Sequence, residues 1–473
     1  MHIVGRRTEK HQLGLLAQSN KPEFLVVYGR RRVGKTYLIS EFFRDEFAFR
    51  VSGLSGESLT EQLEVFASKL REYGLAGCKR PTSWLEAFML LKELLSRQEV
   101  QRHHESGRRV IFIDEMPWFD TPRSGFKGAL EFFWNDWACS QEDVLLIACG
   151  SATSWLAENL LEQTKGLYNR VTKIIDLQPF TLTECKEYLD WRDLGFSNRQ
   201  VMESYMIYGG IPYYLNLFER GKSLAQNTDM LFFDRTGQLS REFDRLFSSL
   251  FRTPQNYVSV IRTLATKQSG LTRAEIASTS GLSGGVLTKL LRDLEICNFI
   301  RSYRDFTRPK KGQIFQLVDP FTLFYLRFVD NQAFDGWMEF INTGRYHAWT
   351  GLAFEMLCLQ HIGSIKNSLG IAGVQTQACA WRSTQFKPAA QIDLLIDRRD
   401  DVINLCEMKY SEADYVLTAA DERSIRNKMA SFRAETGTKK AIHPVLITPD
   451  GAYHNEHFHS VILGEIKVTD WLN

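Results

Sequence analysis

Gly29-Arg30-Arg31-Arg32-Val33-Gly34-Lys35-Thr36 occupies every fixed position of the pattern GxxxxGK[ST], and its flanks supply the context the pattern needs. An apolar run, residues 24–28, leads into it, and a helical pattern opens at Thr36 and Tyr37. Glycine lets the backbone curl so that successive N–H groups face one point, and a helix N-terminus adds the positive end of its dipole. Residues 29–37 therefore read as a cradle for nucleotide phosphates. Within it Lys35 is placed to reach the β- and γ-phosphates, and the Thr36 hydroxyl to ligate Mg2+.

A second stretch completes that site. Arg109-Val110-Ile111-Phe112-Ile113-Asp114-Glu115 reads as a buried strand ending in two carboxylates. Asp114 is suited to hold Mg2+ through water, and Glu115 to orient and deprotonate the attacking water as general base. An acidic pair capping the next helix has the same letters, but beside a phosphate loop the catalytic reading is preferred. Residues 144–149 then run into Gly150-Ser151-Ala152. Expected at the end of a strand between the two motif strands, Ser151 is either a sensor bonded to the γ-phosphate or the water, or a plain strand-end turn. Arg170 precedes the last core strand. It is either a solvated arginine or, in a ring of subunits, a finger reaching a neighbour's γ-phosphate.

From residue 24 to about 180, short apolar runs at 24–28, 47–51, 109–113, 144–149 and 173–177 alternate with helical stretches, the pattern of a parallel sheet covered by helices. Ser58 and Glu61 predict a capping box for a helix carrying Leu63, Phe66 and Leu70 on one face. A second helix is predicted over 83–96. Between 183 and 250 helical spacing takes over, broken at Tyr208-Gly209-Gly210-Ile211-Pro212.

Bulk properties agree. At 473 residues the chain exceeds one ordinary core, and 44% hydrophobic with 24% charged residues is a folded, water-compatible composition. No stretch approaches the roughly 18 uninterrupted apolar residues of a membrane span. Met1-His2-Ile3-Val4-Gly5-Arg6-Arg7 lacks the apolar segment of a secretory signal, and the eight cysteines are scattered without a CxxC pair. The expectation is a cytoplasmic protein with free thiols. A net charge of +2 cannot by itself argue for nucleic acid, so the basic spots Arg30-Arg31-Arg32, Arg108-Arg109 and 301–311 matter more.

Ile3-Val4-Gly5-Arg6-Arg7-Thr8-Glu9, the phosphate loop, Ile113-Asp114-Glu115, Gly150-Ser151, Gly166-Leu167-Tyr168-Asn169-Arg170, Pro179-Phe180 and Gly209-Gly210-Ile211-Pro212 together resemble the archaeal-type ATPase family of AAA+/STAND-like P-loop proteins. The resemblance implies ATP with Mg2+, a five-stranded core, an adenine contact from Val4, Gly5 and Arg6, and a lid whose Pro212 touches the nucleotide. It covers the first half of the chain by motif and extends to the end through domain order. No clear sensor-2 arginine is found in the lid, which leaves the coupling of hydrolysis to lid motion open.

Thr272-Arg273-Ala274-Glu275-Ile276-Ala277, Gly281-Leu282-Ser283 and the pattern over 285–295 predict a helix-turn-helix with Ile276, Leu287, Leu291 and Leu294 in its core. Thr288, Lys289 and Arg292 lie outside that core. A wing of strands 299–303 and 313–318 brings Arg301, Arg304, Arg308, Lys310 and Lys311. Such a stripe can neutralise phosphates of DNA, or the wing can be a docking piece within or between proteins; both readings stand.

Further on, Glu355 follows Gly351 on a helix predicted over 349–365, and strands are predicted at 391–396, 402–409 and 443–448. Gln391-Ile392-Asp393 and Cys406-Glu407-Met408-Lys409 form a hairpin pattern in which Glu407 and Lys409 share a face and Asp393 comes opposite. Two carboxylates then bind Mg2+ and Lys409 orients or deprotonates water for attack on a phosphodiester. With Glu355 upstream, the set resembles the PD-(D/E)XK nuclease fold. The resemblance implies metal ligands Glu355, Asp393 and Glu407 and a catalytic Lys409, unless the fold is kept without activity. His454-x-x-His457-x-His459 reads as an exposed histidine-rich turn rather than a metal cluster.

The expected protein is thus α/β and multidomain. Residues 1–180 form an ASCE/AAA+-like parallel-sheet core, 181–250 a helical lid, 251–332 a winged helix-turn-helix and 333–473 a PD-(D/E)XK-like α/β domain. Its expected function is Mg2+-dependent ATP hydrolysis coupled to a nucleolytic domain acting on DNA or RNA, in a homo-oligomer if Arg170 acts in trans. The rivals are a nucleotide-driven scaffold with a silent C-terminal domain, and a DNA-binding regulator.

Overall fold

The run before the phosphate loop forms β1 (Glu23–Gly29), fully apolar from Phe24 to Val27 because both faces of the strand are covered. This is a computed structural model describing residues 3–151, 168–251, 253–304, 306, 313–330, 336–383 and 390–472. Of the residues singled out above, Ala152, Gly166, Leu167, Arg308, Lys310 and Lys311 lie outside that set. The chain divides into two compact units, Met1–Pro179 and Phe180–Asn473.

In the first unit, α1 (Arg7–Ala17) precedes β1, and α2 (Lys35–Phe42) follows the phosphate loop. The other strands are β2 (Phe49–Ser52), β3 (Arg109–Asp114), β4 (Val144–Ser151) and β5 (Lys173–Asp176). Their order is β2-β3-β4-β1-β5 and every pairing is parallel. Parallel strands put all their carboxyl ends on one edge, where an open α/β sheet builds its site. Gly29 lies beside Ser151 and Ser52 beside Asp114 along that edge.

The predicted capping box holds: Ser58 and Glu61 cap α3 (Leu59–Glu72), and such a cap stabilises a helix by about 1 kcal/mol. Ser83 caps α4 (Trp84–Leu95). Trp84, 1% exposed, meets Phe66, Phe119 and Phe126 edge-on at centroid distances of 5.5, 5.2 and 5.0 Å. Phe119 closes the turn after Glu115 and Phe126 opens α5 (Phe126–Asp136), so this aromatic knot pins the segment leaving the acidic pair.

The basic spot Arg108-Arg109 proves internal. Arg108, 2% exposed, donates to the carbonyls of Ser19, Lys21 and Val144. Arg109 pairs with Asp143 and lies over the Trp137 ring at 5.2 Å. They tie down the amino end of β3, far from its functional end.

Between Phe180 and Leu250 the described residues form helices and no strand, including α6 (Leu182–Trp191), α7 (Asn198–Tyr208), a short helical turn Pro212–Leu215 and α8 (Glu242–Leu250). Gly209 takes φ 69° as the left-handed cap of α7. At Gly210, also left-handed, a Cβ would come 2.3 Å from the Phe180 carbonyl, and the Phe180 N–H donates to Gly210 O at 2.8 Å. The two sequence landmarks Pro179-Phe180 and Gly209-Gly210 thus meet through this one pairing.

Next come α9 (Pro254–Ala265), α10 (Arg273–Ser280) and α11 (Gly284–Ile296), then a three-stranded antiparallel sheet, β6-β8-β7, of β6 (Leu271–Thr272), β7 (Ile300–Arg304) and β8 (Gln313–Leu317). Strand β6, two residues long, is too short to leave a sequence pattern. The predicted core residues Ile276, Leu287, Leu291 and Leu294 are all buried.

The last region is a mixed sheet in the order β15-β13-β11-β10-β9, flanked by helices. Its strands are β9 (Thr376–Arg382), β10 (Gln391–Arg398), β11 (Val402–Met408), β13 (Ala441–Thr448) and β15 (Gly464–Lys467); β12 (Tyr415–Val416) and β14 (Ala452–Tyr453) form a separate pair. The helix predicted at 349–365 is two helices, α12 (Gly344–Gln360) and α13 (Ile362–Ser368), the first beginning well before the predicted start. His361 makes the break, because its buried ring bonds the Leu357 carbonyl and accepts the Leu182 N–H at 3.0 Å. Further along, α14 (Ala419–Thr436) packs Ile425, Met429 and Phe432 on the sheet.

Candidate functional site

The nucleotide loop is built around two glycines with different duties. A Cβ on Gly29 would stand 2.2 Å from the Leu177 carbonyl, so only glycine allows β1 to turn there. Gly34 has space around it but takes φ 92° as it caps α2. Lys35, 6% exposed, donates from Nζ to the carbonyls of Gly29 at 3.1 Å and Arg30 at 3.0 Å. Arg30 is buried, whereas Arg31 and Tyr37 are exposed and Arg32, at φ 72°, is intermediate. The Val4-Gly5-Arg6 segment braces this loop. Arg6, itself buried, donates to the Val33 carbonyl at 3.1 Å and to that of Gln178 at 2.7 Å.

Facing the loop, the Thr36 hydroxyl donates to Asp114 Oδ2 at 2.9 Å, and the Glu115 N–H donates to Asp114 Oδ1 at 3.0 Å. Thr36, next to Lys35 along the chain, is therefore in direct contact with Asp114. A hydroxyl and a carboxylate in contact are hard oxygen donors of the kind Mg2+ takes, so these residues fit that ion. Glu115 leaves the strand in a left-handed conformation, φ 45° and ψ 43°, at a cost of order 1–3 kcal/mol for a residue with a side chain. Its carboxylate receives the Ser151 N–H and hydroxyl, both at 3.4 Å. Ser151 thus touches the predicted base directly.

Two residues that sequence reasoning missed belong to this site. Gly53, just past β2, donates its N–H to the Asp114 carbonyl at 3.0 Å, and a Cβ there would come 2.7 Å from Glu115 O. Cys149 comes next to Asp114 because Ile113 pairs with Ala148 one residue earlier. Burial and then the Asp114 charge push its thiol well above the ordinary value, with Lys35 pulling the other way. Its signal, a cysteine at the end of an apolar strand, is indistinguishable from core. Arg170 ion-pairs with Glu131 of α5 at 3.6 Å. Pro212 is in the second unit, at the first position of its short helix.

The C-terminal carboxylates also converge. The β10–β11 hairpin pairs Leu394 with Cys406, and one step further Asp393 comes opposite Glu407. From α12, Glu355 shares a hydrogen bond with Asp393. Burial, then the Asp393 charge, push the Glu355 carboxyl up to about 9; Arg301 opposes the shift. Glu407, 7% exposed, is ion-paired with Lys428 of α14. Lys409 falls one residue past the strand; against the upward push of burial, Asp421 is held below the ordinary carboxylate range first by its Thr418 hydrogen bonds and then by the Lys409 charge. Among the described residues no group of three or more His, Cys, Asp or Glu side chains is disposed to hold a metal ion. As arranged here, Glu355, Asp393 and Glu407 do not fit one, because each is already engaged.

Arg301 departs from expectation as well. It does not join an exposed phosphate-facing stripe. Its Nε donates to Gln316 at 2.8 Å, its guanidinium lies 4.9 Å over Tyr303, and its charge acts on Glu355 and Asp393. Just past β7, Phe306 docks: its N–H donates to Ala380 O at 3.1 Å, and its ring meets Phe432 at 4.9 Å. Arg304, Thr288, Lys289 and Arg292 stay exposed. Of the histidines, His454 pairs with Glu465 and His457 with Glu422, so they do not converge on one ion.

Helix α7 grips the segment beyond Lys409. Arg199 donates to the carbonyls of Ser411 at 3.3 Å and Glu412 at 2.6 Å, and pairs with Asp450 at 2.6 Å. Glu203 accepts the Tyr410 hydroxyl at 2.9 Å and that of Tyr346 at 3.4 Å.

All eight cysteines are free, and no described helix is long and apolar enough to cross a membrane. Residues 3–218 match the family described as an ATPase domain predominantly from Archaea. The chain is 26% identical over 343 residues to the uncharacterized protein MJECL04 of Methanocaldococcus jannaschii, a match covering 69% of each. It resembles the Walker-type ATPase PABY2304 of Pyrococcus abyssi with a TM-score of 0.50 at 20% identity, over 69% of this chain and 96% of that one. That likeness speaks for the fold; the family match supports nucleotide binding and hydrolysis.

Proposed function

We propose that the archaeal-type ATPase domain of residues 3–218 hydrolyses ATP with Mg2+ and drives a nucleic-acid-directed C-terminal domain in the cytoplasm. The observation that carries the first part is the contact of Thr36 with Asp114 beside Lys35. Mg2+, when bound, supplies Lewis-acid stabilisation of the phosphate charge, held by Thr36 and Asp114. Lys35 exchanges the carbonyls of Gly29 and Arg30 for β- and γ-phosphate oxygens. Glu115 takes a proton from water, and its strained backbone together with Ser151 aims the carboxylate. Val4, Gly5 and Arg6 are the proposed adenine contact, and residues 181–250 the lid, with Pro212 against the nucleotide. In a homo-oligomer Arg170 would have to leave Glu131 to reach a neighbour's γ-phosphate.

Residues 251–332 are proposed as a winged helix that meets DNA, or RNA, through Thr288, Lys289, Arg292 and Arg304. Support comes from a cleft lined by Arg273, Ser283, Gly284, Leu287 and Arg304. Residues 333–473 are proposed as a PD-(D/E)XK-like domain with Lys409 as its catalytic lysine. The grip of Arg199 and Glu203 on Tyr410, Ser411 and Glu412 gives helix α7 a mechanical route to that lysine. A second reading, a silent nuclease fold used for binding, is favoured by the ion pair of Glu407 with Lys428.

One experiment addresses both parts. Lys35→Ala should lose ATP turnover by roughly 10²–10³-fold or more, read as phosphate release. Because Lys428 holds Glu407 at rest, wild type with plasmid and Mn2+ should nick only when ATP is being turned over, and Asp393→Ala should not nick at all while hydrolysing ATP normally. Full turnover in Lys35→Ala would refute the nucleotide site, and equal nicking by Asp393→Ala would refute the nuclease.

A further inference from the structure

The C-terminal cluster already contains its cations. Glu407 is 7% exposed and forms an ion pair with Lys428, which extends from α14. Helix α14 buries Ile425 and Phe432 and lays Met429 on the sheet, so a lysine at 428 sits on the helix's inward side, where charge is rarely tolerated without a partner. On the other flank β7 brings Arg301 within charge range of Glu355 and Asp393, fixed in place by Gln316 and Tyr303. Just past β7, Phe306 is seated against β9, and Arg382 of β9 returns a bond to the Gly270 carbonyl at 3.3 Å. Three carboxyl groups therefore face two resident cations from two different elements.

We propose that Lys428 is a built-in counter-ion that excludes divalent metal from the Asp393–Glu407 hairpin, with Arg301 of β7 as its partner on the Glu355 side. The proposal rests on reading 333–473 as a PD-(D/E)XK-like domain and states how that site is controlled. Lys428 holds Glu407 Oε1 and neutralises the carboxylate, so a divalent ion approaching the other oxygen meets a charge already compensated and a cation that repels it. Metal enters only when α14 releases Lys428. A tethered lysine is also a stricter guard than free monovalent salt, since its local concentration does not fall on dilution.

The test measures Mn2+ binding to the full chain by electron paramagnetic resonance, without nucleotide and in a Thr36→Ala background so that the ATP site contributes nothing. Lys428→Met should bind Mn2+ roughly 10- to 100-fold more tightly than the Lys428 chain, and Asp393→Asn added to it should abolish the gain. Mn2+ should raise the melting temperature of Lys428→Met and leave that of the parent nearly unchanged. Lys428→Gln, which keeps a hydrogen-bond donor for Glu407, serves if the methionine variant does not fold, and Lys428→Arg should stay closed. The proposal is overturned if the parent binds Mn2+ as tightly as Lys428→Met through Asp393, or if neither neutral variant gains affinity. Plasmid nicking is scored separately. A variant that gains Mn2+ but cuts nothing leaves the counter-ion standing and removes the nuclease; nicking by wild type with no effect of Lys428 on Mn2+ does the reverse.

Discussion

Two acidic sites in this chain use the same residue types to opposite electrostatic ends. In the first unit Asp114 is held by neutral donors, the Thr36 hydroxyl and the Glu115 N–H, and Glu115 by the Ser151 N–H and hydroxyl. Neutral donors orient a carboxylate without cancelling its charge, so it stays ready for a cation that arrives with substrate. In the second unit Glu407 is neutralised by Lys428, and Arg301 attends Glu355 and Asp393. A cluster satisfied in this way is stable as it stands and has little to offer a metal. Recognising carboxylates at motif spacing is therefore only half of reading a site; the charge of what holds them is the other half.

If the first site is poised, the largest effect should come from its base. Glu115→Gln should lower ATP turnover by roughly 10²–10⁴-fold while ATP still binds, measured as phosphate release beside nucleotide affinity. An unchanged rate would take the general-base role from Glu115 and erase the contrast.

A smaller loss is expected from Gly53→Ala. The added methyl stands 2.7 Å from Glu115 O and 3.0 Å from Trp118 Cβ, so the Glu115 turn must shift. Displacements of that size cost up to roughly 10²-fold in kcat, with nucleotide affinity preserved. Equal loss of affinity would show that the whole loop has moved rather than the base.

The smallest effect concerns the link between α7 and the second site. Burial raises the Glu203 carboxyl above its ordinary 4.5, against the opposing influence of Tyr410, Arg199 and Tyr346. The folded chain thus holds that proton more tightly than the unfolded one. Its stabilisation is complete below 4.5 and is lost as pH rises through the folded-state value. Glu203→Gln, a permanent mimic of the protonated form, should flatten this part of the melting-temperature profile above pH 4.5. Parallel profiles for the two proteins would show that Glu203 is not strained by burial and that its grip on Tyr410 is incidental.

The parallel core was legible because its signals are local. Five apolar runs between helical patterns became five parallel strands, with ends displaced by a residue or two where β4 extends through Gly150 and Ser151. Ser58 and Glu61 bond each other across three residues, so the helix start they mark can be read directly. The break at His361 could not be read, since it depends on Leu182, remote in sequence and near only after folding. Arg301 and Arg109 look alike as letters, and each was placed by partners from other elements.

What the sequence alone determined is the geometry of the proposed nucleotide loop: Gly29 and Gly34 set its backbone and Lys35 and Thr36 open a helix, properties that eight consecutive residues carry with them. What only tertiary structure decided is the electrical state of the C-terminal carboxylates. Glu407 and Lys428 are 21 residues apart on a strand and a helix, and their meeting depends on how α14 is rotated on the sheet. Coulomb interaction depends on distance and burial, neither of which is written in a local pattern.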